Sequence, residues 1–456
     1  MRLSPRRQLE LFQRAPSFGI LFVAVFGSGL GTWLAFVALT VDVYDRTHSG
    51  PWVSALLIAD FLPMIAIGLL FGPLLDRLSR RGLLVAADLA RFGVFCALPF
   101  ATSPAQIVAL AAAAGFATGF FRPAVYAGLP NLVGDPDLPR ANSLLQTIEN
   151  ATTTAGPLVG GILVSTSSPD TAYWLNAATF ILSALLLLRI PGRLLQARAA
   201  PSQGHLRDLR AGFALVRQAR PLLTVLVVWN VAMLANAGVN VAEVVLAKVS
   251  FGAGDFGFGL LVAAAGLGLA GGSLAAGPLL ERRPTRQVYG GSLALMAIGT
   301  ALAAVSPVVW VAAVCVVVSG AGNGSTVVCN ALLVQRGAPD ELRGRAFTVL
   351  MSSTAVSLGA GMIAAGVVTN ALGARWVWGI AAAILAVAAA LAVTLARGAE
   401  VAREPAREAL PWPARPGLEA IPPASGRRPG YDVAIGAGSI VQPPSNAGAR
   451  RPSTTA

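Results

Sequence analysis

Three acidic residues, Asp60, Glu149 and Glu243, stand inside long apolar stretches, where an ion is costly and rarely idle. A carboxylate withdrawn from water can take up and release a proton near neutral pH, or it can hold a substrate group. Two of the three belong to polar stripes. Asn142, Gln146, Glu149 and Thr153 fall at i, i+4, i+7 and i+11, and Asn236, Asn240 and Glu243 fall at i, i+4 and i+7. Each set therefore shares one side of a helix. Asn323, Thr326 and Asn330 form an uncharged set of the same kind. Lipid would leave such groups unsatisfied, so the stripes are expected to face a wet cavity. The competing use of each carboxylate is an interhelical hydrogen bond or salt bridge. Glu243 is the least suited to proton or substrate duty, because Lys248 lies close to it in the chain. Asp42 and Asp45 are placed at the outer mouth and expected to be solvated.

Phe26, Trp33, Phe36, Phe120, Phe121, Tyr126 and Trp229 are candidates for an apolar pocket wall, with packing against lipid or core as the commoner use of each. The apolar stretches hold few fixed cations. A cavity built from them suits apolar, neutral or cationic compounds better than anions, although Arg91 and Arg122 are within reach of it.

A second constellation is the stretch Gly72–Gly82, GPLLDRLSRRG, which places Gly72, Asp76, Arg77, Arg80 and Arg81 between two apolar segments. A loop this short keeps its charges at the water interface. Asp76 can pair with a nearby Arg or sit at the positive N-terminus of another helix. Asp88 and Arg91, three residues apart on one helical face, are close enough to join that network. Such contacts would latch the cytoplasmic side shut. The plainer reading is that the Arg residues only anchor topology. The hexapeptide returns as Gly277–Arg282, GPLLER, with Glu281 for Asp76, at an offset of 205 residues (282 − 77). Pro136–Arg140 (PDLPR) has a counterpart in Pro339–Arg343 (PDELR) at an offset of 203 (343 − 140). These near-copies indicate two parallel repeats of a membrane domain.

The elements that must carry these residues follow from composition. Of 456 residues, 55% are hydrophobic and 12% charged, which makes a polytopic membrane protein and disfavours a soluble core. About twelve segments are long enough to cross the hydrocarbon as helices: 17–42, 51–74, 82–100, 105–122, 142–165, 171–189, 222–247, 256–280, 288–305, 307–330, 346–371 and 376–396. They lack the two-residue alternation of barrel strands. With residue 1 in the cytoplasm, eighteen Arg from Arg77 to Arg345 fall inside, against Arg46, Lys248 and Arg375 outside. That bias places both termini in the cytoplasm. The chain divides into an N-terminal segment (1–16), a six-helix bundle (17–189), a linker with an amphipathic helix at 206–217 (190–221), a second six-helix bundle (222–396) and a disordered tail (397–456).

The net charge of +13 does not indicate nucleic-acid binding, because the Arg residues are spread between apolar segments. Cys96, Cys315 and Cys329 lie in apolar runs without metal-ligand spacing. The only two His, His48 and His205, lie outside the spans. No P-loop or nucleophile–base pair is visible, so an enzyme, an ATP-driven pump, a cofactor and a metal are all unsupported. The first apolar run is too long for a cleavable signal and is expected to span.

Gly72, Asp76, Arg77, Arg80 and Arg81 resemble the helix 2–3 motif of the major facilitator superfamily, with Ser79 where that family often has Gly. Ala155–Gly161 carries Gly156, Pro157, Gly160 and Gly161, similar to the Gly-Pro-x-x-Gly-Gly motif of proton-coupled exporters in the same superfamily. The segments Pro123–Leu145 and Gln335–Arg345 resemble the bacterial branch of siderophore exporters and macrolide-type efflux proteins. The resemblance implies an all-α membrane protein of twelve transmembrane helices in two pseudo-symmetric six-helix bundles. It also implies a monomer in the bacterial inner membrane, with the lipid bilayer, a small-molecule substrate and protons as partners. The implied activity is proton-coupled export of amphipathic small molecules by alternating access. An importer or lipid flippase of the same fold, and a non-transporting receptor or scaffold, are the alternatives.

Overall fold

The computed structural model describes residues 5–70, 78–134, 137–195, 216, 219–338 and 343–400. Gly72, Asp76 and Arg77, most of the amphipathic linker stretch, the segment 339–342 and the tail from 401 onward lie outside these residues. Among the described residues, twelve helices of 18 to 32 residues follow one another: α1 (Pro16–Thr47), α2 (Gly50–Leu70), α3 (Arg80–Ala97), α4 (Pro104–Val133), α5 (Leu138–Thr166), α6 (Pro169–Leu188), α7 (Arg220–Val245), α8 (Gly254–Arg282), α9 (Thr285–Val305), α10 (Val309–Gly337), α11 (Arg343–Leu372) and α12 (Ala374–Glu400). Continuous Ala- and Leu-rich runs favour helix, and local chemistry sets where it starts. Ser79 caps α3 by accepting from the Gly82 amide at 3.1 Å. Ser103 and Gln106 form a reciprocal capping box on α4, with Pro104 in its first turn. Gly134, at φ 73°, ends α4.

Ten of the helices are long and apolar enough to cross a bilayer. The other two are α2, which ends where the described residues stop, and α5, whose polar stripe lowers its hydropathy. A short helix, Pro5–Arg14, precedes α1, with Leu11 buried and the Phe12 ring 5.1 Å from that of Phe22 and 5.7 Å from that of Phe18.

The packing repeats. In the first six helices, α1 lies against α5 and α6, α2 against α4, and α3 against α4 and α6. In the last six, α7 lies against α11 and α12, α8 against α10, and α9 against α10 and α12. Adding six to each label of the first set gives the second. The two sets meet along two main seams, α5 with α8 and α2 with α11, which that same relation also exchanges.

The buried apolar residues fall into three cores. One gathers the far ends of the helices, opposite the face where α1 begins, and mixes both sets: Leu39, Val43, Leu57 and Tyr173 with Val244, Leu246, Phe258 and Trp378. The other two lie near the N-terminal face and stay separate. One holds Phe18, Leu84, Leu129 and Leu187, and the other holds Leu222, Tyr289, Val334 and Leu385. The halves are thus fused by apolar burial on the far face and parted on the N-terminal face.

Polar contacts agree with this. On the far face a π-helical turn, Leu246–Ser250, carries Lys248 to Asp45 at the end of α1 (2.5 Å) and to Asp255 at the start of α8 (2.6 Å). The Gly50 amide donates to Asn370 Oδ1 (2.7 Å), and the Ser54 hydroxyl donates to the Met362 carbonyl (2.6 Å), both across the α2–α11 seam.

Candidate functional site

A cavity of about 440 Å³ penetrates the first six helices. Its wall begins at Leu39 and Leu57 in the far-face core and reaches Arg122 and Gln146, both exposed, on the parts of α4 and α5 nearer the N-terminal face. Trp33, Phe36, Phe61, Phe95, Phe121 and Phe180 make it aromatic. Among the described residues every wall residue comes from α1–α6 except Leu269 of α8.

Four ionisable side chains line it. Arg91 of α3 is buried, 4% exposed, with its guanidinium between the rings of Phe121 (4.3 Å) and Phe180 (4.4 Å) and paired to the buried Asp88 one turn earlier. The two aromatic faces and the carboxylate replace the water that the cation gives up. Asp88 and Arg91 therefore pair inside the first bundle, and neither is bonded to Arg80 or Arg81. Glu149 of α5 accepts from Arg122 Nη2 (3.0 Å) and from the Tyr126 hydroxyl (2.9 Å), both on α4. Asp60 of α2 is half-buried on the wall, and its carboxylate makes no hydrogen bond or ion pair among the described residues. The backbone around it is pressed against α4, because a Cβ at Gly115 would strike the Asp60 carbonyl. The charges of Arg91 and Arg122 are each met by a carboxylate, and the Asp60 side chain stands alone.

Of the first polar stripe, Gln146, Glu149 and Thr153 reach the cavity, whereas Asn142 is exposed and bonds the Leu138 carbonyl at 3.0 Å. No residue of the second stripe lines this cavity. Asn236 and Asn240 are half-buried away from it, and Glu243 is 6% exposed with no side-chain partner among the described residues. Lys248 turns from Glu243 to Asp45 and Asp255. The third stripe does not line the cavity either. Thr326 bonds Ser292 of α9 at 2.8 Å, and Asn330 is buried, because periodicity sets which residues share a side but not what that side meets. Asp42 is not solvated either. It is 6% exposed, paired with Arg46 at 2.6 Å, and accepts from the Tyr173 hydroxyl at 2.9 Å.

Of the loop constellation, Arg80 donates to the Ala127 carbonyl of α4 (2.7 Å), and Arg81 donates to the Leu188 carbonyl (2.6 Å), the last of α6, where carbonyls are left over. In the second copy Gly277, Glu281 and Arg282 are exposed, without an ion pair among the described residues. The glycine motif sits at a triple crossing. A Cβ on Gly160 would lie 2.6 Å from the Leu34 carbonyl of α1, and one on Gly161 would lie 2.9 Å from Gly259 Cα of α8. Gly156 approaches Trp33 in the same manner. Lacking side chains there, α5 touches α1 on one side and α8 on the other.

Of the aromatic candidates, Trp33, Phe36 and Phe121 line the cavity, Tyr126 serves Glu149, and Trp229 packs beside the second bundle's core. Sequence reading missed Phe61, Phe95 and Phe180, which differ in no local way from lipid-facing Phe. It also missed the clamp in which Asn230 of α7 donates to Ser353 (3.0 Å) and accepts from Ser357 (2.7 Å) of α11.

Comparison with known proteins adds to this geometry. The family described as transmembrane secretion effector matches residues 12–426. The MFS-type transporter YfiS of Bacillus subtilis is 25% identical over 374 residues, covering 80% of this chain and 89% of its own. The enterobactin exporter EntS of Escherichia coli O6:H1 is 28% identical over 346 residues, covering 74% of this chain and 81% of its own. Among solved structures, the nucleoside transporter NupG superposes with a TM-score of 0.68 at 14% identity, over 83% of this chain and 98% of that one. A bacterial homologue of the human lysosomal transporter Spinster, inward-facing and unoccupied, also gives 0.68, at 13% identity, over 84% and 97%. At those identities the structures share the fold.

Proposed function

The chain belongs to the transmembrane secretion effector family of major facilitator transporters, and from that premise we propose that it exports amphipathic small molecules in exchange for protons. It is a multi-pass membrane transporter and not an enzyme. The observation that carries the transport reading is the lopsided closure: one shared core on the far face, and two separate cores with the exposed end of the cavity wall on the N-terminal face. A cavity sealed at one end and reachable from the other is one of the two end states of alternating access. The arginine bias puts the N-terminal face and both termini in the cytoplasm of a bacterium, so cargo would load from inside. The similarity to the enterobactin exporter supports the outward direction.

Protons are the coupling ion in this reading, with Asp60 and Glu149 as the carriers at the site. Asp60 has no fixed partner to hold its proton off, and Glu149 could exchange one only by releasing Arg122 and Tyr126. The working unit in this reading is a single chain. The test is efflux from loaded cells or everted vesicles with and without a protonophore. Collapse of the proton gradient should abolish concentrative export, and undiminished export would remove proton coupling. Net inward movement of the same cargo would favour the importer.

A further inference from the structure

We infer that cargo recognition by charge resides in the first six-helix bundle alone and that the cargo is an amphipathic cation with an aromatic body, for which Asp60 is the counter-ion. This rests on the export reading for its biological sense but is tested by binding. Three observations carry it.

The first is the charge balance of the cavity wall. Its ionisable groups are Asp60 on α2, Arg91 on α3, Arg122 on α4 and Glu149 on α5, with none on the wall segments of α1, α6 or α8. Arg91 is matched by Asp88 and Arg122 by Glu149, so among the described residues the wall carries one uncompensated carboxylate and no uncompensated cation. An anion entering here would find no free donor of positive charge, whereas a cation would find Asp60.

The second is shape and surface. Trp33, Phe36, Phe61 and Phe95 join Asp60 in the wall. Aromatic faces attract cations and hold flat apolar bodies, so the wall rewards both ends of such a molecule.

The third is the asymmetry of the duplication. At the offset of 205 residues given by the repeated hexapeptide (282 − 77), Asp60, Asp88 and Arg91 correspond to Ala265, Leu293 and Met296. At the offset of 203 given by the second repeat (343 − 140), Glu149 corresponds to Ser352. The bundles repeat each other's packing, but these four charges within the spans are not repeated, and among the described residues the second bundle gives the cavity only Leu269.

Tetraphenylphosphonium and tetraphenylborate, near-identical in shape and opposite in charge, test this on the purified full chain in lipid nanodiscs. The cation should bind about tenfold or more tightly than the anion. Asp60→Asn should lower cation affinity about tenfold while leaving anion binding equal or stronger, which also shows that the variant is folded. Should Asp60→Asn bind neither ion, Asp60→Glu decides: retained cation preference supports the assignment, and lost preference overturns it. Glu243→Gln, outside the cavity, should leave cation affinity within about twofold, and a loss matching that of Asp60→Asn would overturn confinement to the first bundle. Equal or better binding of the anion by the natural protein, or binding of neither ion, overturns the cation assignment. Vesicle efflux would still judge export separately.

Discussion

Arg91 shows what a single ion needs in order to live inside a helical bundle. Its guanidinium is stacked between Phe121 and Phe180 and bonded to Asp88, a residue with no exposed surface. Removing the cation alone strands a buried carboxylate, which typically costs about 3–5 kcal/mol. Arg91→Ala should therefore lower the thermal midpoint of the purified protein markedly, and Asp88→Asn combined with Arg91→Gln should recover most of the loss. A double variant no better than the single one would show that the pair is not what stabilises the site. At this scale the sequence was partly legible. Asp60 and Glu149 stood out because a charge in an apolar run has few cheap explanations. Asp42 was misjudged because the hydroxyl that buries it, Tyr173, lies 131 residues away. No local pattern reports such a contact.

Helices α5 and α8 carry the mechanical argument at the next scale. Gly161 and Gly259 allow one seam between the halves to close to backbone contact. Gly161→Val would drive a methyl-bearing carbon into Gly259 and the Asp255 carbonyl, 2.9 and 3.1 Å from an ideal Cβ, an overpacking that typically costs about 1–3 kcal/mol. The expected result is normal membrane insertion with efflux reduced severalfold, measured per unit of inserted protein. Unchanged efflux would mean that the seam does not limit turnover. The glycine motif was readable in the chain, and its closeness to α1 on one flank and α8 on the other was not. Spans and their order followed from length and hydropathy, yet in the third stripe Thr326 met Ser292 of α9 and Asn330 was buried. A helix's period names its sides, and tertiary packing names their neighbours.

For the molecule as a whole, the repeated packing of α1–α6 in α7–α12 gives two matched sets of helices that meet at the α2–α11 and α5–α8 seams, about which the proposed cycle would rock them. The duplicated hexapeptide made this pairing legible, whereas the direction of opening depended on where three apolar cores fell. In a background with Cys96, Cys315 and Cys329 replaced, Gln146→Cys on the cavity rim should react with a membrane-impermeant maleimide from the N-terminal face only, in the absence of cargo. Equal labelling from both faces would rule out the sealed far side as the resting arrangement.

Lys248 holds two partners that belong to different bodies. Asp45 sits on α1, and Asp255 sits on α8 in the ammonium's own bundle. For the far side to part in the proposed cycle, only the Asp45 contact of this ammonium need break. The ammonium keeps Asp255, and the freed Asp45 side chain is already 47% solvent-exposed. Neither ion is ever marooned in hydrocarbon. In the proposed cycle the clasp can thus be undone and remade at little electrostatic expense, which suits a door better than a weld.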